Sequence, residues 1–468
     1  MMNTETIPQE ATMHAPLYDA LINLAASQPL RLHMPGHKGK LPGIFDKIST
    51  IDFTEISPTG NLYTNEGPIS DAEKLYAKAT GAREALFFSC GSTQGIQTML
   101  SAAVGMGGTL ILDRGCHKSV YHSMALLDIS PVYLYPDLLS EHTIPAPITL
   151  KTLEDALSLH PEAQAVFLTS PSYYGVMTDI SSLAEICHKY GVYLLVDQAH
   201  GAHFPFIGLS SGIQENADLC VVSAHKTLPA LGSAAVLCVG EHATWSGKQL
   251  KEMSSIFATT SPSYPILASI DFARSLLEED LKNKYNYTVH LVQKFRNKIN
   301  RNTKFISLSE HENLRLDPCR LTINTAAAGL SGYEADHLLQ KKNIFVEMSD
   351  DQYIVSIFTC NDTETDFQRF FSALMDLPIK QKNIPFKQET PPVPLIRQSI
   401  RSALFGPREV ISLKDAIGRI SGQILAPYPP GIPIVAPGEE ITEKHIAYLQ
   451  KKSYNINENI WVTCHSPN

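Results

Sequence analysis

The run VYLLVDQAHG (192–201), followed by LCVVSAHKTLPAL (219–231), decides the fold. Each begins as an unbroken apolar, β-branched segment and ends abruptly in polar and small residues. No polar residue alternates within either segment, which is how a strand covered on both faces of a parallel sheet reads. Five similar runs lie outward along the chain: ALFF (85–88), TLILD (109–113), PVYLY (131–135), AVFLT (165–169) and AAVLCV (234–239). Helical patterns separate them at Gln94–Val104, Ser119–Leu127 and Ser181–Tyr190, the last stopped by Gly191. The alternation predicts an α/β layered domain with about seven mostly parallel strands. Its ligands are expected beyond the carboxyl ends of those strands.

The whole chain has 468 residues, 44% of them hydrophobic and 18% charged, which suits two or three folded domains and excludes intrinsic disorder. Lys and Arg number 38 against 47 Asp and Glu, a net charge of -9 that argues against a nucleic-acid or anionic-membrane partner. No apolar run approaches the roughly 20 residues of a membrane helix. The opening MMNTETIPQEATMHAP has neither a basic nor an apolar signal region, so a cytoplasmic enzyme is expected. Cysteines stand singly at 90, 116, 187, 220, 238, 319, 360 and 464, with no C-x-x-C pair to hold zinc. The expected units are an N-terminal arm with turn-rich loops (1–68), the large α/β domain (69–265), a small α+β domain (266–380) and a C-terminal domain (381–468). TINTAAAGL and YIVSIFTC read as strands of the small domain, and KNIPFKQETPPVPLI (382–396) as a Pro-rich connector.

Chemistry gathers at four strand ends. Ser89-Cys90-Gly91-Ser92-Thr93-Gln94-Gly95 is a small-residue turn opening a helix, able to cradle an anion on free N–H groups and hydroxyls, or simply to serve as a glycine-rich turn. Asp197 ends a buried strand, where a carboxylate calls for a cation unless it only caps a turn. Lys226, in Ser223-Ala224-His225-Lys226-Thr227, has no evident solvent face; a desolvated lysine deprotonates readily and can form a Schiff base, whereas a surface lysine would not. His117, in DRGCHKSVYH, follows another strand; Cys116, His117 and His122 do not have the spacing of a common metal site, and no metal is expected. An anion cradle, a carboxylate, an aromatic ring and a Schiff-base lysine together suit pyridoxal 5′-phosphate, with the carboxylate holding the pyridine nitrogen protonated. They also match the large domain of fold-type I enzymes of that cofactor.

PGHKG (35–39), DRGCHKS (113–119), DQAHGAHF (197–204), SAHKTLPAL (223–231), TTSPSY (259–264) and YPPGIPIVAPGEE (428–440) give the chain a specific resemblance to the Orn/Lys/Arg decarboxylases. The resemblance spans nearly the whole chain and is to the compact Gram-positive type without an N-terminal wing domain. It implies that Lys226 carries the cofactor, Asp197 pairs with its ring nitrogen and His117 stacks on its ring. Ser92, Thr93, Gln94, Ser223 and His225 would surround the phosphate, Ala199 would lie beneath the ring, and His200 would serve catalysis near the substrate carboxylate or ring hydroxyl. Glu347 and His37 would meet substrate, although Glu347 also reads as a solvated strand-end charge. Phe257–Tyr264 reads locally as a polar linker; by resemblance its Thr260 and Ser261 reach the phosphate of a neighbouring copy, making a homodimer with shared sites. The expected activity is decarboxylation of a basic amino acid, with arginine favoured over lysine or ornithine. An aminotransferase or aldolase, or a non-catalytic paralogue, is the alternative; an aminotransferase would need a carboxylate clamp from Arg315, Arg320, Arg397 or Arg401.

Overall fold

The computed structural model describes residues 14–64, 66–140, 142–310, 314–380, 390–427, 431–452 and 454–464. All seven apolar runs enter one sheet, as β1 (Glu84–Phe88), β2 (Thr109–Asp113), β3 (Ser130–Leu134), β4 (Ala163–Thr169), β6 (Tyr193–Asp197), β7 (Leu219–Val222) and β8 (Ala235–Val239). Between β4 and β6 lies a two-residue strand outside that sheet, β5 (Val176–Met177). The order across the sheet is β1-β8-β7-β6-β4-β2-β3. β8 alone runs antiparallel to its neighbours. The 223–234 link that precedes it contains one helical turn, Ala224–Thr227, which is too little for the crossover a parallel return requires.

Successive residues of each strand point to opposite faces, and both faces are covered. Phe87, Ile111, Val166, Val196 and Cys220 join one core; Phe88, Leu110, Phe167, Leu195 and Val221 join the other. The expected helices appear as Gly91–Ala103, Lys118–Leu127 and Ile180–Lys189. Before the sheet, helix Pro16–Ala26 inserts Leu17 and Leu21 into the first core, and Asp271 accepts from the Leu17 N–H at 2.9 Å.

The small domain has a four-stranded antiparallel sheet, built from β9 (Ile306–Ser307), β11 (Arg320–Asn324), β12 (Met348–Ser349) and β13 (Tyr353–Ile357) in the order β12-β13-β11-β9. TINTAAAGL is strand only to Asn324; residues 326–328 form a 3-10 turn closed by Gly329 at φ +77°, because the alanine run offers no β-branched side chains to a ladder. β10 (Arg315–Leu316) leaves that sheet and pairs with β5, joining the two domains. The C-terminal segment forms a further core around Leu413, Val435, Leu449 and Val462, closed by β14 (Arg408–Ser412) against β15 (Asn459–Thr463). The N-terminal residues 1–13, most of the connector at 381–389 and Tyr428-Pro429-Pro430 lie outside the described residues. Among the described residues no helix is long and apolar enough to cross a membrane.

Candidate active site

Parallel pairing sets β6 beside β7 with Asp197 opposite Val221, so the residues that follow the two strands emerge together at one rim. Asp197 is buried, and its Oδ1 accepts the Ala199 N–H at 3.0 Å. Burial pushes its carboxyl above the usual range, while the nearby Lys226 charge and the Ala199 N–H pull it down. Lys226 sits in the single turn after β7, partly buried. Burial and the Arg320 charge lower its ammonium pKa, against the opposing pull of Asp197 and Glu347. A buried carboxylate and an amine inclined to lose its proton thus stand at adjacent strand ends.

His117 follows β2 at the same rim and caps helix Lys118–Leu127, its Nδ1 accepting from the Ser119 N–H at 3.3 Å. Burial first, then the charges of Lys226 and Lys118, push its pKa down to about 4. The ring is therefore a neutral aromatic plate at ordinary pH. Helix Gly91–Ala103 opens after β1 without a side-chain cap, with Gly91 at φ +77°, Ser92 partly buried and Thr93 exposed. The buried Gln94 donates instead to the Ser254 carbonyl at 3.3 Å, so its amide is turned toward helix Gly247–Ser255. His225 Nδ1 lies 2.9 Å from the Ala234 carbonyl, to which it donates. Ser223 Oγ and Thr227 Oγ1 are buried with no hydrogen-bond partner among the described residues.

His200 is buried at the centre of the rim, 3.2 Å from Lys226 Nζ through Nε2 and 3.2 Å from Arg320 Nη2 through Nδ1. Tyr173 meets it edge-on at 5.0 Å. Tyr173, in the turn after β4, is a rim residue that the sequence does not single out, and Arg320, named only as one of four possible clamp arginines, arrives from the other domain. Of the four arginines considered for a carboxylate clamp, only Arg320 stands here. Arg315 pairs with Glu215 at 3.1 Å, Arg397 with Glu440 at 2.8 Å, and Arg401 donates to the Leu126 carbonyl at 2.9 Å. Glu347 is exposed beside β12 yet close enough to influence Lys226. His37 lies farther along the chain's opening loops, 3.1 Å from Asp52. Thr260 and Ser261 are exposed.

The donor set fits a phosphorylated pyridine aldehyde. Two orphaned hydroxyls and an uncapped helix N-terminus can take the phosphate, a buried carboxylate can take a ring N–H, and an amine whose pKa burial lowers can take the aldehyde.

Comparison with known proteins agrees with that chemistry. The family described as "Orn/Lys/Arg decarboxylase, major domain" matches residues 15–314, and its C-terminal domain matches 381–458. An arginine decarboxylase of Bacillus subtilis (strain 168) is 34% identical, covering 93% of this chain and 93% of the relative. One from Halalkalibacterium halodurans is 32% identical over 94% of this chain and 93% of its own length. In three dimensions the Escherichia coli constitutive lysine decarboxylase superposes with a TM-score of 0.78 at 22% identity, covering 94% of this chain and 77% of that one, a likeness of fold.

Proposed function

The chain belongs to the Orn/Lys/Arg decarboxylase family and decarboxylates a basic amino acid with pyridoxal phosphate; we propose that the preferred substrate is arginine, released as agmatine and CO2. The observation that carries the site assignment is the pair of a buried Asp197 and Lys226, whose pKa burial lowers, on neighbouring strand ends. When bound, the cofactor supplies a protonated ring that draws electrons from the bond to the departing carboxyl group. The chain's own residues do the rest. Asp197 would face the ring nitrogen, Lys226 would hold the aldehyde group, and His117, neutral at ordinary pH, would lie against the ring. Ser92, Thr93, Ser223 and His225 would hold the phosphate, and Ala199 would lie beneath the ring. Glu347 offers a carboxylate to the remote cation of the substrate, and binding there orients the carboxyl group for departure. Lys226 Nζ and His200 Nε2 lie 3.2 Å apart, and this pair would return a proton to the substrate α-carbon.

The site is shared between two copies. Thr260 and Ser261 face outward, and the N-terminal stretch exposes Leu30 at 84%, Leu32 at 84% and Ile44 at 91%, apolar surface that a second copy would cover. Hydroxyls from a neighbour add donors to a buried phosphate without adding charge. The resemblance and the absence of a membrane-crossing helix among the described residues support a cytoplasmic enzyme. CO2 release from arginine, lysine and ornithine, assayed side by side with keto-acid release, tests the reading. Arginine should give the highest kcat/KM; a keto-acid product without CO2 would make the protein an aminotransferase.

A further inference from the structure

Asp317 and Arg320 lie in the small domain, and the short β5–β10 ribbon seats them against the large one. The Asp317 N–H donates to the Gly175 carbonyl at 2.8 Å, and Arg320 Nη1 donates to the Tyr173 carbonyl at 2.9 Å. Asp317 Oδ2 lies 3.5 Å from Arg320 Nη2, and its Oδ1 faces His203 Nε2 at 3.0 Å. Arg320 and Asp317 are both almost fully buried. A charged guanidinium with several fixed contacts has little freedom to turn away from its remaining partner, His200 Nδ1 at 3.2 Å.

Guanidinium nitrogens only donate. His200 Nδ1 must therefore accept, which places the imidazole proton on Nε2. That N–H points at Lys226 Nζ, 3.2 Å away. An ammonium there would set donor against donor; a neutral amine offers the lone pair that completes the contact.

We propose that Arg320 is a positioning residue for the reaction: anchored by Asp317 across the domain join, it fixes the tautomer of His200 and thereby presents Lys226 as a neutral amine. The inference rests on Lys226 being the cofactor lysine. Burial first, then the Arg320 charge, holds the His200 pKa well below the usual histidine range, in keeping with a neutral imidazole. Around Lys226 the opposing groups are Asp197 and Glu347, which favour the ammonium, and Arg320, which disfavours it, with His200 and His117 as the neutral neighbours.

The test is competitive labelling of Lys226 by trace acetic anhydride in the full-length protein stripped of cofactor, read by peptide mass spectrometry as a function of pH. Arg320→Met should raise the labelling midpoint by about one pH unit, which is about tenfold less reactive amine near neutrality. Arg320→Lys, still a cationic donor, should fall between it and the parent. His200→Asn should raise the midpoint as well, and in that background Arg320→Met should add little. An unchanged midpoint in Arg320→Met, or an equal shift with and without His200, would overturn the relay. If Arg320→Met does not fold, His200→Asn carries the test alone, with an unchanged midpoint counting against it. Borohydride reduction of the cofactor-bound protein separates the two readings: cofactor fixed to another lysine would sink the assignment of Lys226, whereas cofactor on Lys226 with an insensitive midpoint would sink only the role of Arg320.

Discussion

Glu439→Ala should destabilise the protein more than any substitution on its surface, and the structure sets the size. Arg114 and Glu439 are 5% and 1% exposed and meet at 2.6 and 2.8 Å through two guanidinium nitrogens. Glu439 also accepts the Ala436 N–H at 2.6 Å, and Arg114 Nε donates to the Pro433 carbonyl at 3.1 Å. Its guanidinium lies over Tyr133, 4.5 Å from the ring centre. Removing the carboxylate leaves a buried cation without its counter-charge, a cost of about 3–5 kcal/mol. The stranded Ala436 N–H adds about 1 kcal/mol. For a cooperative unit of 150–250 residues each kcal/mol is worth about 2–4 °C, so melting should fall by on the order of 10 °C. Arg114 also opens the loop that carries His117, so the variant should lose cofactor faster on dialysis. The companion is the double substitution Arg114→Met with Glu439→Leu. It removes both charges and their desolvation together, and should melt well above either single variant. Scanning calorimetry of the parent, Glu439→Ala, Arg114→Met and the double variant decides. A loss below about 2 °C for Glu439→Ala, or a double variant less stable than both singles, would refute the view that this pair fastens the C-terminal segment to the large domain.

Other outcomes follow from the rim. Asp197→Asn should fold, since burial already works against the charged form, but CO2 release should drop by about a hundredfold or more because an amide cannot hold the ring proton; near-parental turnover would remove Asp197 from the mechanism. His117 titrates at about 4 in the fold against 6.5 as a free side chain, so between those values the unfolded chain binds the extra proton and stability falls as pH falls. Melting of His117→Phe should therefore decline less than that of the parent across this acid window, and parallel curves would contradict the shift. Mixing Lys226→Ala chains with chains carrying Thr260→Ala and Ser261→Ala should restore some activity, since a mixed dimer holds one site with both an intact lysine and an intact donor loop. Mixtures that never recover activity would count against shared sites.

The seven strands were legible because a segment buried on both faces must be apolar throughout, a property each run displays without reference to its partners. Asp197 and Lys226 were legible for the complementary reason: a charge where an apolar run stops is costly, so its presence announces a compensating partner. What the sequence could not show was which partner. Glu439 lies 325 residues from Arg114, and Arg320 lies 120 residues from His200; neither separation leaves a periodic trace. The ribbon that brings Arg320 to the rim pairs two-residue strands, Val176–Met177 and Arg315–Leu316, too short to carry an alternation. β8 read as one more buried strand because direction does not alter which residues are covered; only the shortness of the 223–234 link betrays its reversal. Gln94 shows the same limit from the other side, since its sequence neighbours do not reveal that its side-chain amide donates to the Ser254 carbonyl. Local composition thus records that a group is buried and what that burial costs, while the contact that offsets the cost is fixed only when distant segments meet. The amine at Lys226 is the case where this matters for chemistry: burial lowers its ammonium pKa, and Arg320, from the other domain, adds a cation that lowers it further.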